Sequence, residues 1–437
     1  MTRVRFAPAP TGHVFVSGAR VALANHLFAR RRNGRMTLRL DDLDKDHARP
    51  SAVTEDQVMQ DLRWLGIDWH DSFRQSERLD QYRDAIERLK REGFLYPCFE
   101  SETELKAKQE FRRKRNQPLI YDRAMLRLTD KQRHDAEAGG KRPYWRFKLS
   151  GRTLSWQDQI LGRREATLAA VSDPILVRAD GTPAPVLASV LDDIACGTTH
   201  IIRGEDNAGN TAVQIELFEV LRGAANPIRF AHLPAIPDAE GAGHRRAGNR
   251  ALRDLRKDGI EPDALIAAMT GAPGTPDPDL IRRFDLAAFA GACFDVEQML
   301  AVNRQILGAL DFTAVADRLP GGATEAFWLA VRGSLDLLNE ARGWWDVVAG
   351  TIVPPVIDNA HDLLLTALSL LPPEPWDNEV WSRWIDSLED ATHRTTEALL
   401  PPLRLALTGE DNGPCLSGLL PLIGRPRAAS RLAIAAA

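Results

Sequence analysis

The first thirty residues of the chain predict a strand, a tight loop and a helix in direct succession. Val4 to Phe6 form a short apolar run, and Pro8 to Gly12 supply residues typical of a turn. Apolar residues at helical spacing from Val21 to Phe28 then predict the buried face of a helix. Since the start of a helix presents unpaired backbone N–H groups, this arrangement predicts a phosphate-binding site.

The same segment resembles the opening of bacterial glutamyl-tRNA synthetases, which are class I aminoacyl-tRNA synthetases. Three short blocks carry the resemblance: Arg5-Phe6-Ala7-Pro8, Pro10-Thr11-Gly12 and Ala19-Arg20. Phe15 and Ser17 stand where the family has the His and Gly of its ATP-binding signature, and Ala9 replaces a family Ser. The resemblance implies a discriminating-type or paralogous member of the family with degenerate signature motifs.

Length and composition indicate a soluble protein of two to four domains, since 437 residues exceed the usual size of one domain. No apolar run approaches the roughly 18 residues of a membrane span, and the N-terminus lacks the apolar core of a signal peptide. We therefore expect a cytoplasmic protein without a membrane partner. A monomer is the state that the resemblance implies.

Charge is distributed unevenly, although the net charge is only −4. One basic cluster covers residues 112–115, and a second runs from Arg245 to Lys257. Either cluster could be a solvated helix face, but both fall where the family meets RNA, which favours phosphate contact. The expected partner is therefore tRNA.

The four cysteines predict neither a disulfide framework nor a metal centre. They are Cys98, Cys196, Cys293 and Cys415. They lie roughly a hundred residues apart and form no Cys-x-x-Cys pair. Some bacterial members of the family carry zinc near the position of Cys98, but Glu100 and Met125 occupy places where further thiolates would be expected. We predict no structural zinc and no other metal ligands.

The order of elements predicts an α/β fold. The resemblance implies a Rossmann-like class I catalytic domain, with its first half at 1–98 and its second half at 173–240. An inserted subdomain at 99–172 is expected to bind the acceptor end of tRNA. The sheet is predicted to resume at Pro174–Arg178 and again at Ala188–Asp193.

The remainder of the chain is predicted to be helical. Residues 241–300 are expected to hold the family's lysine loop and helices that contact the tRNA stem. Residues 301–437 are expected to form an all-α anticodon-binding bundle, whose clustered leucine and tryptophan residues are typical of a helical core.

A pocket for glutamate follows from the resemblance. Arg5 and Arg203 match the family's substrate-binding arginines, and Asp41 stands where an acidic residue receives the amino group. Ser189 belongs to the same pocket. Pro185 replaces a family Tyr, so the pocket has lost a ring and a hydroxyl.

The ATP signature is altered at Phe15-Val16-Ser17-Gly18. A His at position 15 would donate a hydrogen bond to the reacting phosphate, and loss of such a donor costs about 10²- to 10³-fold in rate. His13 is a weaker catalytic candidate, with an exposed loop histidine as the alternative. The predicted cofactor-binding residues are Gly12, Arg20, Gly204 and Asp206.

The lysine loop of the family aligns with residues 242–246. Arg245 keeps a positive charge where the catalytic Lys stands, and Arg246 is a weaker candidate. Ala242 and His244 depart from the family pattern. Because a guanidinium is planar and longer than an ammonium, replacing Lys by Arg at a pyrophosphate site is not conservative.

The block Arg203-Gly204-Glu205-Asp206-Asn207 is close to the family pattern, with Asn207 in place of a usual His. A structural interpretation is also open here. Gly204 can permit a turn, and Asp206 can cap the helix that follows.

Three functions remain open. The first is ATP- and Mg²⁺-dependent ligation of glutamate to tRNA through a glutamyl adenylate, weakened or altered by the degenerate motifs. The second is a catalytically inactive paralog that binds tRNA or has a regulatory role. The third is a ligase repurposed for another amino acid or acceptor, which the changes at Ala9, Pro185 and Ser189 suggest.

Overall fold

The structure, a computed structural model, describes residues 1–10, 12–43, 52–236, 249–271, 279–377 and 379–437. The described residues divide into two compact units. The first unit holds residues 1–253, 269–271 and 279–294, and the second holds 254–268 and 295–437.

Ten strands occur among the described residues, all in the first unit: β1 (Arg3–Phe6), β2 (Arg35–Leu40), β3 (Asp71–Arg74), β4 (Leu95–Cys98), β5 (Tyr144–Phe147), β6 (Thr153–Asp158), β7 (Gly162–Thr167), β8 (Ile175–Val177), β9 (His200–Gly204) and β10 (Arg229–Leu233). The first unit also contains α1 (Val16–Arg31), α2 (Ala52–Trp64), α3 (Leu79–Arg91), α4 (Glu102–Lys114), α5 (Asp130–Ala138), α6 (Pro185–Ala195) and α7 (Thr211–Arg222). Two helices have residues in both units, α8 (Leu252–Asp258) and α9 (Pro262–Thr270), and two short ones complete the first unit, α10 (Leu280–Arg283) and α11 (Leu286–Gly291).

Parallel strands form the centre of the first unit. β2 pairs with β1 and β3, and β10 pairs with β9 and β6, all in parallel. Thr199 N donates to Arg3 O at 2.9 Å, so the start of β9 lies beside the start of β1. Parallel neighbours need long crossovers, and α1, α2 and α7 provide them. The predicted Rossmann-like α/β class is confirmed.

The apolar face of α1 explains why the strand, loop and helix at the N-terminus could be recognised. Leu23, Leu27 and Phe28 are each at most 3% exposed. On β1, Val4 and Phe6 are also buried. The helical spacing of the apolar residues therefore marks the side of α1 that is removed from water.

The prediction of a strand at Ala188–Asp193 is wrong, because these residues belong to α6. Pro185 occupies the first turn of the helix, where its fixed φ angle and missing N–H are tolerated. Leu187 and Val190 are buried three residues apart, as on one helix face. A short apolar run does not by itself distinguish a buried strand from a buried helix.

A separate antiparallel sheet consists of β4, β5 and β8 in that order. Its central strand β5 comes from the predicted insertion at 99–172, whereas β4 and β8 come from the segments on either side. The five predicted domain boundaries stay predictions.

The second unit is helical, as predicted: α12 (Val296–Ala309), α13 (Phe312–Val315), α14 (Glu325–Val331), α15 (Ala341–Ala349), α16 (His361–Ser369), α17 (Val380–Thr392), α18 (Thr396–Thr408), α19 (Leu416–Ile423) and α20 (Arg425–Ala435). Trp328 and Trp384 are fully buried in its core. Their indole N–H groups donate to Leu310 O at 2.9 Å and Ala367 O at 3.1 Å, which satisfies the polar atom of each ring. In the part of the chain that the structure describes, no helix is long and apolar enough to span a membrane.

A buried arginine joins the ends of two helices in the second unit. Arg431, only 3% exposed, donates to Leu407 O at 2.7 Å and Val347 O at 2.6 Å, near the carboxyl ends of α18 and α15. Carbonyl groups in the last turn of a helix have no intrahelical partner, so Arg431 satisfies acceptors that would otherwise be buried and unpaired. Burial lowers the pKa of Arg431 to about 10, and the group stays charged at neutral pH.

We expect Arg431→Met to destabilise the second unit by about 3 kcal/mol, because buried carbonyl groups lose their donor. The midpoint of thermal unfolding, followed by tryptophan fluorescence on the whole chain, measures the change. Arg427→Met is the matched control, since Arg427 lies exposed on the same helix and donates to Ile423 O at 3.2 Å. Equal midpoints for the two variants would contradict the assigned role of Arg431.

Candidate active site

A cavity of about 1060 Å³ lies at the carboxyl ends of the parallel strands of the first unit. Open α/β sheets bind ligands at this edge. Predicted residues from distant parts of the sequence line it: Arg5, His13, Phe15, Ser17, Gly18, Arg20, Asp41, Ser189, Arg203, Gly204 and Asp206. The predicted site residues Ala242, His244, Arg245 and Arg246 lie outside the described residues.

One wall of the cavity carries a network of buried charges. Arg5 Nε donates to Asp193 Oδ1 at 3.0 Å, and both side chains are less than a tenth exposed. Arg39 donates to both oxygens of Asp41, at 2.6 Å from Nε and 3.1 Å from Nη2. Arg39 Nη2 also donates to Ser189 Oγ at 3.0 Å. Arg39 Nη1 also lies 3.7 Å from Asp193 Oδ1, so the five side chains form one connected set.

The carboxylates of Asp192 and Asp193, near the end of α6, make further hydrogen bonds that hold this network in place. Asp193 also accepts from Thr198 Oγ1 at 3.0 Å, and Asp192 accepts from Gln75 Nε2 at 3.0 Å and Tyr82 OH at 2.9 Å. Burial lowers the pKa of Arg39, but the carboxylates of Asp41 and Asp193 outweigh it and raise that pKa above its usual value. Arg39 is thus a fixed cation.

Asp41 is the acidic group of the network that a ligand can reach. Its side chain is 26% exposed, whereas that of Arg39 is 3% exposed. Burial raises the pKa of Asp41, and the adjacent Arg39 opposes this shift. A substrate ammonium at Asp41 would share the carboxylate with Arg39.

Arg203 supplies a second cation in the cavity. Its Nε donates to His232 Nε2 at 3.1 Å, and Nη2 donates to Thr211 Oγ1 at 2.9 Å and Asn207 O at 3.1 Å. Burial, together with the positive charge of Arg5, lowers the pKa of Arg203 to about 10. An anion bound between these two arginines would relieve their repulsion.

Exposed and buried side chains alternate in residues 13–17, which together with Gly18 form the signature segment of the cavity wall. His13, Phe15 and Ser17 are exposed, whereas Val14 and Val16 are buried. The backbone is held by Val16 N donating to Arg250 O at 3.0 Å and Leu252 N donating to Val14 O at 2.8 Å. Phe15, 42% exposed, stands at the N-cap of α1 without a hydrogen-bond donor.

Two predicted cofactor-binding residues have clear structural contacts. Gly12 has φ +85°, and its carbonyl accepts from Arg253 Nη2 at 2.7 Å. Arg20, 3% exposed, donates to Phe289 O at 2.8 Å and Ala290 O at 3.0 Å near the end of α11. Gly12 is not among the residues lining the cavity, and cofactor binding by either residue stays a prediction.

The turn after β9 differs from the expected helix cap. Residues Glu205–Asn210 form a 3₁₀ helix, and α7 begins only at Thr211. The suggestion that Asp206 caps the following helix is wrong, because the N-cap is Asn210 and no side chain caps it. Asp206 Oδ1 instead occupies the space that a Cβ at Gly204 would need, so a larger residue at position 204 would require the Asp206 side chain to move.

The predicted absence of structural zinc near Cys98 stays a prediction. Glu100 accepts from Lys108 Nζ and Tyr121 OH, each at 2.5 Å, so its carboxylate already has two donors. Burial raises the pKa of the Cys98 thiol to about 11, which keeps it protonated at neutral pH. Among the described residues, no three His, Cys, Asp or Glu side chains are grouped as metal ligands.

The basic clusters divide between surface and structure. Arg113, Lys114 and Arg115 are exposed at the end of α4, where an RNA backbone could reach them. In the second cluster, Arg253 is occupied by Gly12 O and by Gln57 Oε1 at 2.8 Å, whereas Arg256 is exposed.

Sequence reasoning missed Arg39, Asp192, Asp193, Asp158 and His232. A charged residue inside the apolar strand Met36–Leu40 and an acidic pair inside an apolar helix were the available signals. No sequence signal pointed to Asp158 and His232, because their pairing depends on contact between strands that are far apart in the sequence.

Comparison with known proteins agrees with this geometry. The family profile described as tRNA synthetases class I (E and Q), catalytic domain, matches residues 1–272, and an anticodon binding domain profile matches residues 357–436. Glutamate–tRNA ligase 2 of Granulibacter bethesdensis is 53% identical, over 99% of this chain and 98% of that protein. Glutamate–tRNA ligase 2 of Acidiphilium cryptum is 52% identical over 100% of both chains.

Solved structures show the same fold. The glutamate-tRNA synthetase of Elizabethkingia anophelis superposes with a TM-score of 0.79 at 25% identity, over 100% of this chain and 99% of the other. The catalytic profile covers more than half of the chain, and the identities to the two ligases hold over nearly its full length. The chain therefore belongs to the glutamyl-tRNA synthetase family of class I aminoacyl-tRNA synthetases.

Proposed function

We propose that this protein is a cytoplasmic glutamate–tRNA ligase with a slowed activation step. The observation that carries the proposal is the cavity that joins Arg5, Asp41 and Arg203. Arg5 and Arg203 can bind a carboxylate of glutamate, and the carboxylate of Asp41 can bind its ammonium. The names of its relatives support the same substrate.

In the proposed reaction, a carboxylate of glutamate binds between Arg5 and Arg203, and the ammonium binds at Asp41. An oxygen of the α-carboxylate attacks the α-phosphate of ATP, which forms glutamyl adenylate and releases pyrophosphate. A hydroxyl of the terminal adenosine of tRNA then attacks the adenylate carbonyl and releases AMP.

The nucleotide is placed by the signature segment and the start of α1. Ser17 and Gly18 line the cavity at the first turn, where backbone N–H groups favour phosphate. Mg²⁺ would arrive with ATP and offset the charge of its phosphates. Arg245, in the segment aligned with the lysine loop, is the proposed cation for the departing pyrophosphate.

The activation step is proposed to be slow because Phe15 has no donor for the phosphate at the position of the family His. Exposure of both His13 and Phe15 to the cavity leaves His13 as the nearest imidazole in sequence. Their ring centroids lie 6.2 Å apart, so His13 does not occupy the place of the Phe15 ring.

Glutamylation is tested by incubating the purified protein with ATP, labelled glutamate and total tRNA, with a reaction lacking ATP as the control. Charging above the control is the expected result. Salt-dependent tRNA binding without any charging would instead establish the inactive paralog. ATP consumption with an amino acid other than glutamate would establish the repurposed ligase.

Phe15→His is expected to raise the rate of glutamate-dependent ATP–pyrophosphate exchange by about 10²-fold, because it restores a donor at the reacting phosphate. Phe15→Leu is the control, since it changes the ring without adding a donor. A stable Phe15→His protein whose rate equals that of Phe15→Leu would show that the missing donor does not limit activation.

Asp41→Asn is expected to raise the KM for glutamate about ten- to a hundredfold, because the substrate ammonium loses a charged acceptor. The KM for ATP should stay within about twofold. Asp42→Asn is the matched control, because Asp42 accepts from Ser76 and is absent from the cavity wall. Equal effects of the two substitutions in the exchange assay would argue against an ammonium site at Asp41.

A further inference from the structure

Three residues from neighbouring parallel strands meet behind the cavity. In the pairing of β10 with β9, His232 lies opposite Arg203. In the pairing of β10 with β6, Phe230 lies opposite Asp158, the last residue of β6. Asp158 is therefore offset from His232 by two residues along β10, and the side chains of Asp158, His232 and Arg203 form a row across the three strands.

The row is connected by short hydrogen bonds. Asp158 Oδ2 lies 2.5 Å from His232 Nδ1, and His232 Nε2 lies 3.1 Å from Arg203 Nε. Thr211 Oγ1 also lies 3.1 Å from His232 Nε2. Asp158, His232 and Thr211 are each at most 1% exposed, so water does not compete for these atoms.

The chemistry of arginine decides where the histidine proton lies. Arg203 Nε can only donate, so His232 Nε2 must accept, and the single proton of a neutral imidazole must then be on Nδ1. Nδ1–H donates in turn to Asp158. The hydrogen bonds of the row therefore all run in one direction. The carboxylate of Asp158 orients the imidazole of His232, and the imidazole orients the guanidinium of Arg203.

Asp158 is itself held by the backbone of the turn between β6 and β7. Its Oδ1 accepts from Ile160 N at 3.0 Å, Leu161 N at 2.9 Å and His232 N at 3.3 Å. Burial raises the pKa of Asp158, but the hydrogen bonds from His232 and the backbone outweigh it and lower that pKa. Asp158 is an anion with one oxygen for the turn and one for the histidine.

These hydrogen bonds restrain the flexible side chain of Arg203. Arg203 Nε is engaged by His232, and Nη2 is engaged by Thr211 and Asn207. Among the described residues Nη1 has no hydrogen-bond partner, so this nitrogen can meet an anion in the cavity that Arg203 lines. Fixing the guanidinium before binding reduces the conformational entropy lost when the anion binds.

We propose that Asp158 and His232 are positioning residues that orient Arg203 toward the carboxylate of the amino acid substrate. This inference rests on the proposed function, because it takes glutamate as that substrate. Under this proposal the carboxylate of Asp158 affects recognition of the amino acid, although His232 and Arg203 lie between it and the ligand.

Asp158→Asn is the direct test. The amide oxygen can still accept from the three backbone N–H groups, while the amide nitrogen now donates to His232 Nδ1. The histidine proton must then move to Nε2, where it opposes Arg203 Nε–H. We expect the dissociation constant for glutamate, measured by calorimetry, to rise about tenfold or more, with binding of ATP unchanged.

The tautomer can be read without any activity. The ¹⁵N NMR shifts of His232 should show Nδ1–H in the unsubstituted protein and Nε2–H in Asp158→Asn. The signal is assigned by its absence in His232→Gln. Asp173→Asn is the matched control, since Asp173 is also 1% exposed and binds Tyr96 and Arg123 instead.

A rescue variant separates positioning from general loss of structure. In Asp158→Asn combined with His232→Gln, the glutamine amide can turn its oxygen toward Arg203 Nε whatever residue 158 donates. We expect the double variant to bind glutamate more tightly than Asp158→Asn alone. A purely structural role predicts that the second substitution weakens binding further.

Each outcome decides the proposal. An unchanged tautomer in Asp158→Asn, unchanged glutamate affinity or a weaker double variant would overturn it, as would absence of glutamate binding by the unsubstituted protein. Glutamate binding with the predicted tautomer change but without tRNA charging would support the positioning role and reject the proposed ligase activity alone.

Discussion

The architecture of the cavity depends on two adjacent carboxylates buried at the end of α6. Asp193 binds Arg5 on β1, and Asp192 is held by Tyr82 and Gln75 from the segment that follows β3. Removing one member of a buried ion pair typically costs about 3–5 kcal/mol, because the partner charge is left uncompensated. The same contacts that join α6 to the sheet therefore also set the charges that a substrate meets, and neither property can be altered without the other.

Local patterns predicted the elements whose signal is contained in a short window. The strand, loop and helix from Val4 to Phe28 and the helical second unit were recoverable from apolar spacing and turn residues. The error at Ala188–Asp193 arose because an apolar run lacks a distinctive period, although Pro185 is a favourable first-turn residue. The row formed by Asp158 and His232 was invisible, since only the strand register brings the two residues together.

The structure distinguishes residues that are held by packing from residues that face the cavity. Arg5 and Arg203 have buried hydrogen-bond partners, whereas Phe15, Ser17 and Pro185, which we predict to depart from the family pattern, line the cavity. Packing contacts constrain a residue from several sides, while a residue that faces the cavity is constrained mainly by its ligand. The proposed slowing of activation is therefore compatible with an unchanged fold.

The cap of α1 has a thermodynamic consequence. Phe15 offers no side-chain acceptor, and the first turn contains no acidic residue. By helix geometry, the N–H groups of Ser17 and Gly18 have no intrahelical acceptor. A phosphate in the cavity would act as the missing cap. Binding of the nucleotide and the stability of this helix end are therefore thermodynamically coupled. A better capping residue at position 15, such as Asp or Ser, would stabilise the empty protein and compete with the nucleotide.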